Sequence, residues 1–413
     1  MRAIALLLVP LLIAGCLGGT TKALPLDDPI VERTRDSIFG EIQKLMEGVP
    51  CQASAVGAAT SENIKPLNVL KWEQGGNAEA EIRGDLLYSA RGGGFSIVNI
   101  SDPLRPVILS NYTETKGNLD IKVSPDNMTA LVGAGWGIDL VDVRNPYEPK
   151  RSGQWLFTSV PVIGGAPLNN AHMIFTMEIA KQQWVLMAPN SNTGIWIFKL
   201  EGPPEARKLT FVTTTLPVQG GPLGPHDMVV QYDTVLKTHV MYSADGYHGW
   251  TAWDMRDPAK PMIIGGLVRP ETGYLHTIQA GWLESRRIVV TIAEVGANVM
   301  QVYDATNIRA PVLLAMWQVG TPSSAQHNFN IVQEKIYLAH YGSGIFVFDL
   351  KGMPTTPSTK LIDYKPVAHY APASTSFWDI VLKDGVLYGS GSGIHVFGYG
   401  CVVPGDKAFT SIN

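Results

Sequence analysis

The chain has 413 residues, of which 16% are charged and 45% are hydrophobic, and its formal net charge at pH 7 is −4. It contains no basic stripe and no strongly cationic run, which argues against nucleic acid as a partner. Its 42 glycines and 28 prolines are typical of a protein built from many short strands joined by tight turns.

The N-terminus carries the pattern of an export signal. Arg2 precedes an apolar stretch that is too short to span a bilayer as a helix, so residues 1–15 are predicted to form a secretory signal peptide. The sequence Ile13-Ala14-Gly15-Cys16 resembles a lipobox. That resemblance implies that Cys16 becomes the lipidated first residue of an exported protein anchored to the extracytoplasmic side of a membrane. An ordinary signal peptide or an uncleaved anchor is the alternative.

Two further segments precede the main body of the chain. Residues 16–27 are predicted to be a flexible tether. Residues 28–62 are predicted to form a short amphipathic helix and a loop that pack on the main domain, because apolar residues recur near helical spacing at Ile30, Val31, Ile38, Ile42 and Leu45. The main domain is predicted to span residues 63–404, followed by a tail at residues 405–413.

One short β-forming sequence recurs seven times in the main domain. The copies are Gly94–Ile100, Gly137–Val143, Gly194–Leu200, Gly249–Met255, Asn298–Asp304, Gly344–Leu350 and Gly393–Tyr399. Successive copies start 43 to 57 residues apart, a period that indicates a solenoid, a propeller or an array.

The context of each copy favours a propeller. An apolar run precedes it, and in several copies a polar turn with proline follows, and then another short apolar strand, as in Arg105-Pro106-Val107-Ile108-Leu109. Four strands per repeat make one propeller blade, and seven blades close into a ring without exposed sheet edges. The predicted fold class is therefore all-β, a seven-bladed β-propeller of four-stranded blades.

The closure of the ring is also predicted. Only a short tail follows the seventh copy, so the seventh blade lacks an outer strand of its own. Ile64–Trp72, upstream of the first copy, has the Lys/Arg-Pro-apolar form of the other outer strands, and we expect it to complete the last blade. The entropic cost of closing so long a loop grows only logarithmically with its length.

The repeats resemble the LVIVD repeat, a propeller-forming repeat of bacterial and archaeal surface proteins. Leu140-Val141-Asp142-Val143 and Val347-Phe348-Asp349-Leu350 are nearest to its pattern, whereas the seventh copy has Gly398 in place of the acidic residue. The resemblance covers roughly residues 64–400. It implies a propeller fold and a surface location, but the family has no single activity to carry over.

The sequence has 3 cysteines. If Cys16 carries lipid, Cys51 and Cys401 remain as a pair near the two ends of the ring. A disulfide between them is predicted, because it would pin the closure in an oxidising compartment. Two buried or free thiols are the alternative, and no spacing typical of a thiol metal site occurs.

Histidines recur where the innermost strand of four successive blades is expected to begin. They are His172, His226, His276 and His327, and the other three blades offer Asn77, Asp120 and Asp379 in the same neighbourhood. Innermost strands start at one mouth of the central channel, so the four imidazoles are predicted to converge there.

Converging neutral imidazoles suit one transition-metal ion, namely zinc, copper or iron. The second strands end at the same mouth and add candidate bases or partners of the ligands: Asp245, His248, Glu294 and His340. The arrangement is similar in concept to the axial four-histidine iron site of the carotenoid oxygenases. The alternatives are histidines that make structural hydrogen bonds, as in WD-repeat propellers, and a polar ligand pocket without metal.

Three functions remain open from the sequence. The first expectation is a lipid-anchored cell-surface propeller that binds a protein, peptide or glycan at one mouth, where Trp136, Tyr247 and Trp378 are candidates for stacking. The alternative is a metal-dependent enzyme that uses the four histidines. The third is a scaffold without a ligand of its own. The propeller fold does not decide among the three, because fold alone does not imply function.

Overall fold

The computed structural model describes the greater part of the repeat domain and a short piece of the segment before it. The described residues are 41–42, 44–45, 61–72, 76–115, 117, 120–159, 170–189, 193–215, 224–268, 273–283, 285–295, 298–320, 325–372 and 375–400. The predicted signal peptide, the tether, the tail and all three cysteines (Cys16, Cys51 and Cys401) lie outside them.

The described strands form seven antiparallel sheets, taken here in chain order. Two strands precede the first repeat: β1 (Ser61–Glu62) and β2 (Ile64–Lys71). Blade 1 contains β3 (Asn77–Arg83), β4 (Leu86–Arg91), β5 (Gly94–Asn99) and β6 (Val107–Tyr112). Blade 2 contains β7 (Ile121–Val123), β8 (Thr129–Ala134), β9 (Gly137–Asp142) and β10 (Lys150–Leu156). Blade 3 contains β11 (Met173–Ile179), β12 (Gln182–Ala188), β13 (Ile195–Glu201) and β14 (Lys208–Thr215).

The remaining four blades follow the same order. Blade 4 contains β15 (Asp227–Asp233), β16 (Thr238–Ala244), β17 (Trp250–Asp254) and β18 (Met262–Leu267). Blade 5 contains β19 (Tyr274–Leu283), β20 (Arg286–Val295), β21 (Val299–Asp304) and β22 (Val312–Gln318). Blade 6 contains β23 (Phe329–Val332), β24 (Lys335–His340), β25 (Gly344–Asp349) and β26 (Ala368–Tyr370). Blade 7 contains β27 (Asp379–Lys383), β28 (Val386–Ser390) and β29 (Gly393–Tyr399).

Short helical turns complete the described secondary structure. Residues 41–42 and 44–45 are helical, and single 3₁₀ turns occupy Phe157–Ser159, Pro204–Ala206 and Leu350–Gly352. The Ile42 side chain is fully buried in a cluster drawn from blades 1 and 7. Within the described part of the chain, no helix has the length and hydropathy needed to cross a bilayer.

The architecture is a ring of seven four-stranded antiparallel blades, so the predicted all-β seven-bladed propeller is confirmed. In blades 1 to 6 the chain passes through the strands in sequence order, from the innermost to the outermost. Strand β2 supplies the fourth strand of blade 7 by pairing with β29, from Ile64 opposite Tyr399 to Lys71 opposite Gly393. The predicted closure by an N-terminal strand is confirmed as well.

The hydrophobic core lies between adjacent blades. Each buried cluster takes side chains from two neighbouring sheets, as where Trp155 of blade 2 packs against Trp196 and Phe198 of blade 3, with ring centroids 5.8 and 4.8 Å apart. Successive side chains in a strand point to opposite faces, so each middle strand packs on both neighbouring blades. The inner strands consequently surround the axis and bring side chains from all seven blades to one channel.

Candidate metal centre

The four recurring histidines stand at the start of the inner strands of blades 3 to 6. His172 and His226 directly precede β11 and β15, whereas His327 lies two residues before β23. Two of these positions are held by the second strands, because the amides of His226 and His327 donate to the carbonyls of Ala244 at 2.8 Å and Ala339 at 3.1 Å. These backbone bonds place both residues at the same mouth of the ring.

His276 reaches the same mouth through a β-bulge. Its neighbours in β19 pair in register with β20, Leu275 with Ala293 and Thr277 with Ile292, and no residue stands opposite His276 itself. A bulge of this kind bends the strand and changes the direction in which a side chain points. The extra residue therefore explains how the histidine of the longest inner strand joins the others.

The structure brings the four imidazoles into a row in which each ring contacts the next. The ring centroids are 4.4 Å apart for His172 and His226, 4.0 Å for His226 and His276, and 4.3 Å for His276 and His327. The Nε2 atoms of His172 and His226 lie 2.7 Å from each other. The predicted convergence of these side chains at one mouth is thus present in the fold, in an arc that covers four of the seven blades.

Hydrogen bonds at Nδ1 assign the tautomer of three of the rings. Nδ1 of His226 lies 3.1 Å from the carbonyl oxygen of His276, and Nδ1 of His327 lies 2.6 Å from that of Trp378. A carbonyl only accepts, so Nδ1 carries the proton in both rings and Nε2 keeps its lone pair. Nδ1 of His276 lies 2.8 Å from Oγ1 of Thr277, whose hydroxyl donates to Oδ1 of Asn328 at 3.0 Å, and the same tautomer follows.

The imidazoles are neutral at pH 7. Burial lowers the pKa of all four rings, well below the usual value for His226 and His276 and to about 4 for His327. The neighbouring histidines lower the pKa of His226 and His276 further, because a second positive charge would lie close by. Neutral rings with an unprotonated Nε2, as in His226, His276 and His327, are in the state that binds a metal ion, whereas Nε2 of His172 donates its proton to His226.

Glu294 completes a group with the donor set of a metal site. Its Oε2 lies 3.6 Å from Nε2 of His276, and ligand atoms of His226, His276 and Glu294 all lie within 4.8 Å of one another. The hydroxyl of Tyr341 donates to Oε1 of Glu294 at 2.8 Å, and the Tyr341 ring packs on His327 with centroids 4.8 Å apart. Burial raises the pKa of the Glu294 carboxyl, and the Tyr341 bond partly offsets that effect.

The other residues expected from the second strands have different surroundings. Asp245 accepts a 2.5 Å hydrogen bond from Thr251 of its own blade, and burial raises its pKa to about 7. Nε2 of His340 lies 2.9 Å from the carbonyl oxygen of Val319, between blades 5 and 6. His248 lies in the turn after β16 and is partly exposed. Asp245 and His340 thus have hydrogen-bond partners other than the four histidines, and the role of these side chains as partners of the ligands stays a prediction.

A second tier of polar side chains lies one residue further along the inner strands. It contains Glu79, Asp120, Asp227, Asn328 and Asp379, with the Lys122 amine paired to Asp120. Burial raises the pKa of Glu79 well above its usual value, that of Asp379 also above its usual value, and that of Asp227 to about 7. Burial alone would lower the pKa of Lys122, but the carboxylates of Asp120, Glu79 and Glu81 outweigh it and raise that pKa.

This tier corrects one part of the sequence-based alignment. By their pairing with the second strands, Asp120 and Asp379 do not stand level with the histidines but with Asp227, the residue after His226, and Glu79 is the blade 1 member. Trp378 is the blade 7 counterpart of the histidines, and its ring lies 4.9 Å from His327. The sequence signal for the second tier was present in the pairs His226-Asp227, His327-Asn328 and Trp378-Asp379.

Comparisons with known proteins support the fold and no more. No family model matches the chain, and no curated protein matches it. Solved structures do match, among them the crystal structure of the computationally designed Ika8 protein, with a TM-score of 0.50 and 11% sequence identity over 81% of this chain and 99% of that chain. At that identity the similarity shows the propeller fold alone.

Proposed function

We propose that this propeller is a metal-dependent protein whose functional centre is one zinc, copper or iron ion at the histidine mouth. The observation that carries the proposal is the orientation of His226, His276 and His327, each with Nδ1 held by a neighbour and Nε2 unprotonated. In the metal-free protein the Nε2 lone pair of His226 accepts the proton of His172 Nε2, a bond that an ion would replace. Metal-ligating histidines are usually oriented by a second hydrogen bond of this kind. Histidines that serve only to bond the neighbouring turn would not need to cluster with a carboxylate.

The donor set accounts for the choice of metal. Imidazole nitrogen suits zinc, copper and iron, whereas magnesium and calcium prefer sites made only of oxygen. His226, His276 and Glu294 offer three ligand atoms, and His172, whose Nε2 lies 2.7 Å from that of His226, would supply a fourth.

Such a centre supports an enzymatic function. A bound ion of this class polarises a substrate oxygen or lowers the pKa of a coordinated water. Glu294 would act as a ligand or, held by the Tyr341 hydroxyl, as the base that accepts a proton at its carboxylate.

Metal analysis tests the proposal directly. Protein expressed with zinc, copper and iron supplied and then dialysed is expected to retain one ion per chain, measured by inductively coupled plasma mass spectrometry. Loss of a ligand in His226→Ala or His276→Ala should weaken binding by more than the roughly 10–100-fold typical of losing a residue that only orients a ligand. His239→Ala is the matched control, because His239 packs on Tyr232 in blade 4 away from the cluster.

Two results would contradict the metal centre. One is the absence of any stoichiometric metal in the wild-type protein, and the other is equal loss of metal in His239→Ala and His226→Ala.

A binding function is the second candidate, and aromatic side chains at the same mouth favour it. Tyr247 and Tyr274 are in contact with centroids 5.1 Å apart, as are Tyr341 and Trp378 at 5.4 Å. A protein, peptide or glycan recovered from envelope extract by metal-free protein would favour that candidate.

We also propose that the chain is an exported lipoprotein of the LVIVD-repeat type. The seven copies of the repeat and the lipobox-like Ile13-Ala14-Gly15-Cys16 support this assignment. The wild-type protein is expected to incorporate labelled fatty acid and to fractionate with membranes, whereas Cys16→Ser should do neither. Labelling of Cys16→Ser equal to that of the wild type would contradict lipidation at this residue.

A further inference from the structure

A chain of hydrogen bonds joins the candidate metal ligand His276 to Glu79, across blades 5, 6 and 1. Nδ1 of His276 donates to Oγ1 of Thr277, and the Thr277 hydroxyl donates to Oδ1 of Asn328 at 3.0 Å. The Asn328 amide then donates to Oε1 of Glu79. Every donor points toward Glu79, so the bonds polarise one another in the same direction.

The surroundings of Glu79 disfavour the ionised form of its carboxyl. The side chain is buried, and burial raises its pKa, with further increases from Asp379, Asp120 and Asp227 and an opposing decrease from Lys122. On the histidine side, burial and the neighbouring Glu294 raise the pKa of the Tyr341 phenol, and Glu79 adds to that effect. Glu79 also lines a channel cavity of about 380 Å³, which gives water a place beside the carboxyl.

We propose that Glu79 is a remote positioning residue of the metal centre, which holds a proton in the metal-free protein and releases it when the ion binds. This inference rests on the proposed function. An ionised Glu79 strengthens the bonds along the chain, which makes Nε2 of His276 a better donor, and this is the effect carboxylates have on metal-bound histidine. By linkage, an ion bound at His276 favours the ionised form of Glu79 to the same extent.

The step involves one proton and no electron transfer. The O–H bond of the Glu79 carboxyl breaks, its electron pair stays on the carboxylate, and the proton passes to water in the channel. The bound dication and the new carboxylate then carry opposite charges within one network.

Glu79 suits this role better than the other groups of the tier. The Asp379 carboxylate accepts backbone hydrogen bonds from Ala80 at 3.0 Å and Ile380 at 2.8 Å, which favour its ionised form. Lys122 keeps its proton because it is paired with the Asp120 carboxylate and Glu81 lies nearby. Only Glu79, among the carboxylates of the described tier, accepts from Asn328 at the end of the chain from His276.

Calorimetry of zinc binding tests the inference. Zn²⁺ is titrated into the protein at pH 7 in two buffers that differ in ionisation enthalpy, and the difference gives the number of protons released. The wild type is expected to release about one proton more than Glu79→Gln, which has no carboxyl proton to lose. Glu79→Gln should also bind Zn²⁺ roughly tenfold more weakly, within the range for residues that orient a metal ligand.

Glu81→Gln is the matched control. Glu81 faces the same channel from the same strand, but its carboxylate accepts from the Val123 amide and pairs with Arg83 rather than Asn328. Its proton release should equal that of the wild type. Equal release from Glu79→Gln and the wild type, with Zn²⁺ bound to both, would overturn the role of Glu79 and leave the metal centre standing. No binding of Zn²⁺ to the wild type would overturn both.

A second measurement needs no variant. As pH rises above the raised pKa of Glu79, the carboxyl is already ionised in the metal-free protein, so the wild type should release progressively fewer protons. A release that stays constant from about pH 6 to about pH 10 would overturn the inference, because no group would then change from protonated to ionised.

Discussion

The glycine that opens most of the repeats lies where the backbones of the third and fourth strands approach closely. Gly137 has φ of 147°, and a Cβ atom at that position would lie 1.9 Å from the carbonyl oxygen of Trp155 in the outer strand. Gly94, Gly194 and Gly344 would meet the same obstacle at 1.5 to 1.8 Å. The repeated glycine is therefore required by the pairing of the third and fourth strands, and it carries no information about ligands.

A pair of glycine substitutions tests this account at the scale of the residue. Gly137→Ala is expected to lower the free energy of unfolding by about 2 kcal/mol or more, because β10 has to move away from the new methyl group. Gly93→Ala should change it by less than about 0.5 kcal/mol, since Gly93 is exposed in a turn with no atom within 4 Å of the added Cβ. Urea denaturation measures both, and equal stability of the two variants would contradict the explanation.

The candidate site was only partly predictable from its residues. The four histidines were predicted because they recur at one repeat position, and Glu294 because it ends a second strand. Thr277 and Glu79 carried no such signal, since their role depends on hydrogen bonds across blades 5, 6 and 1. Spacing along the sequence does not show which side chains meet around the axis.

At the scale of the element, the N-terminal segment holds two blades together. Strand β2 forms the outer strand of blade 7, and β1 adds a fifth strand to blade 6 by pairing Ser61 with Tyr370 and Glu62 with His369. Ile64, at the start of β2, is fully buried between these blades. The sequence predicted β2 from its Lys-Pro-apolar pattern, but two residues are too few to show a pattern for β1.

Removal of these strands is expected to open the ring. A chain that begins at residue 73 loses the burial of Ile64, worth about 2–5 kcal/mol for a core isoleucine, and leaves β29 as an unpaired edge. It should melt at a lower temperature than the wild type and aggregate in size-exclusion chromatography. A chain that begins at residue 28 retains β1 and β2 and is the control. If the two chains melt at the same temperature as monomers, the closing strand does not stabilise the ring.

At the scale of the whole molecule, closure of the repeats into a ring brings the same position of successive repeats together around one axis. Seven similar blades place equivalent positions at equivalent heights, so a residue type conserved between repeats becomes a cluster around the axis. Four histidines on successive blades form an arc, and Trp378 continues it in blade 7. The second tier follows because the next residue of each inner strand lies one step deeper in the channel.

The sequence by itself determined the blade count, the strand order and the closing strand, because local β-patterns and a fixed period set which segments pair. It also determined that the histidines share one mouth, since they share one position in the repeat. Only the tertiary structure decided which carboxylate joins them, which nitrogen of each ring carries the proton, and that Glu79 connects to His276. Those properties depend on distances between blades, which are set when side chains from distant parts of the chain pack around one axis.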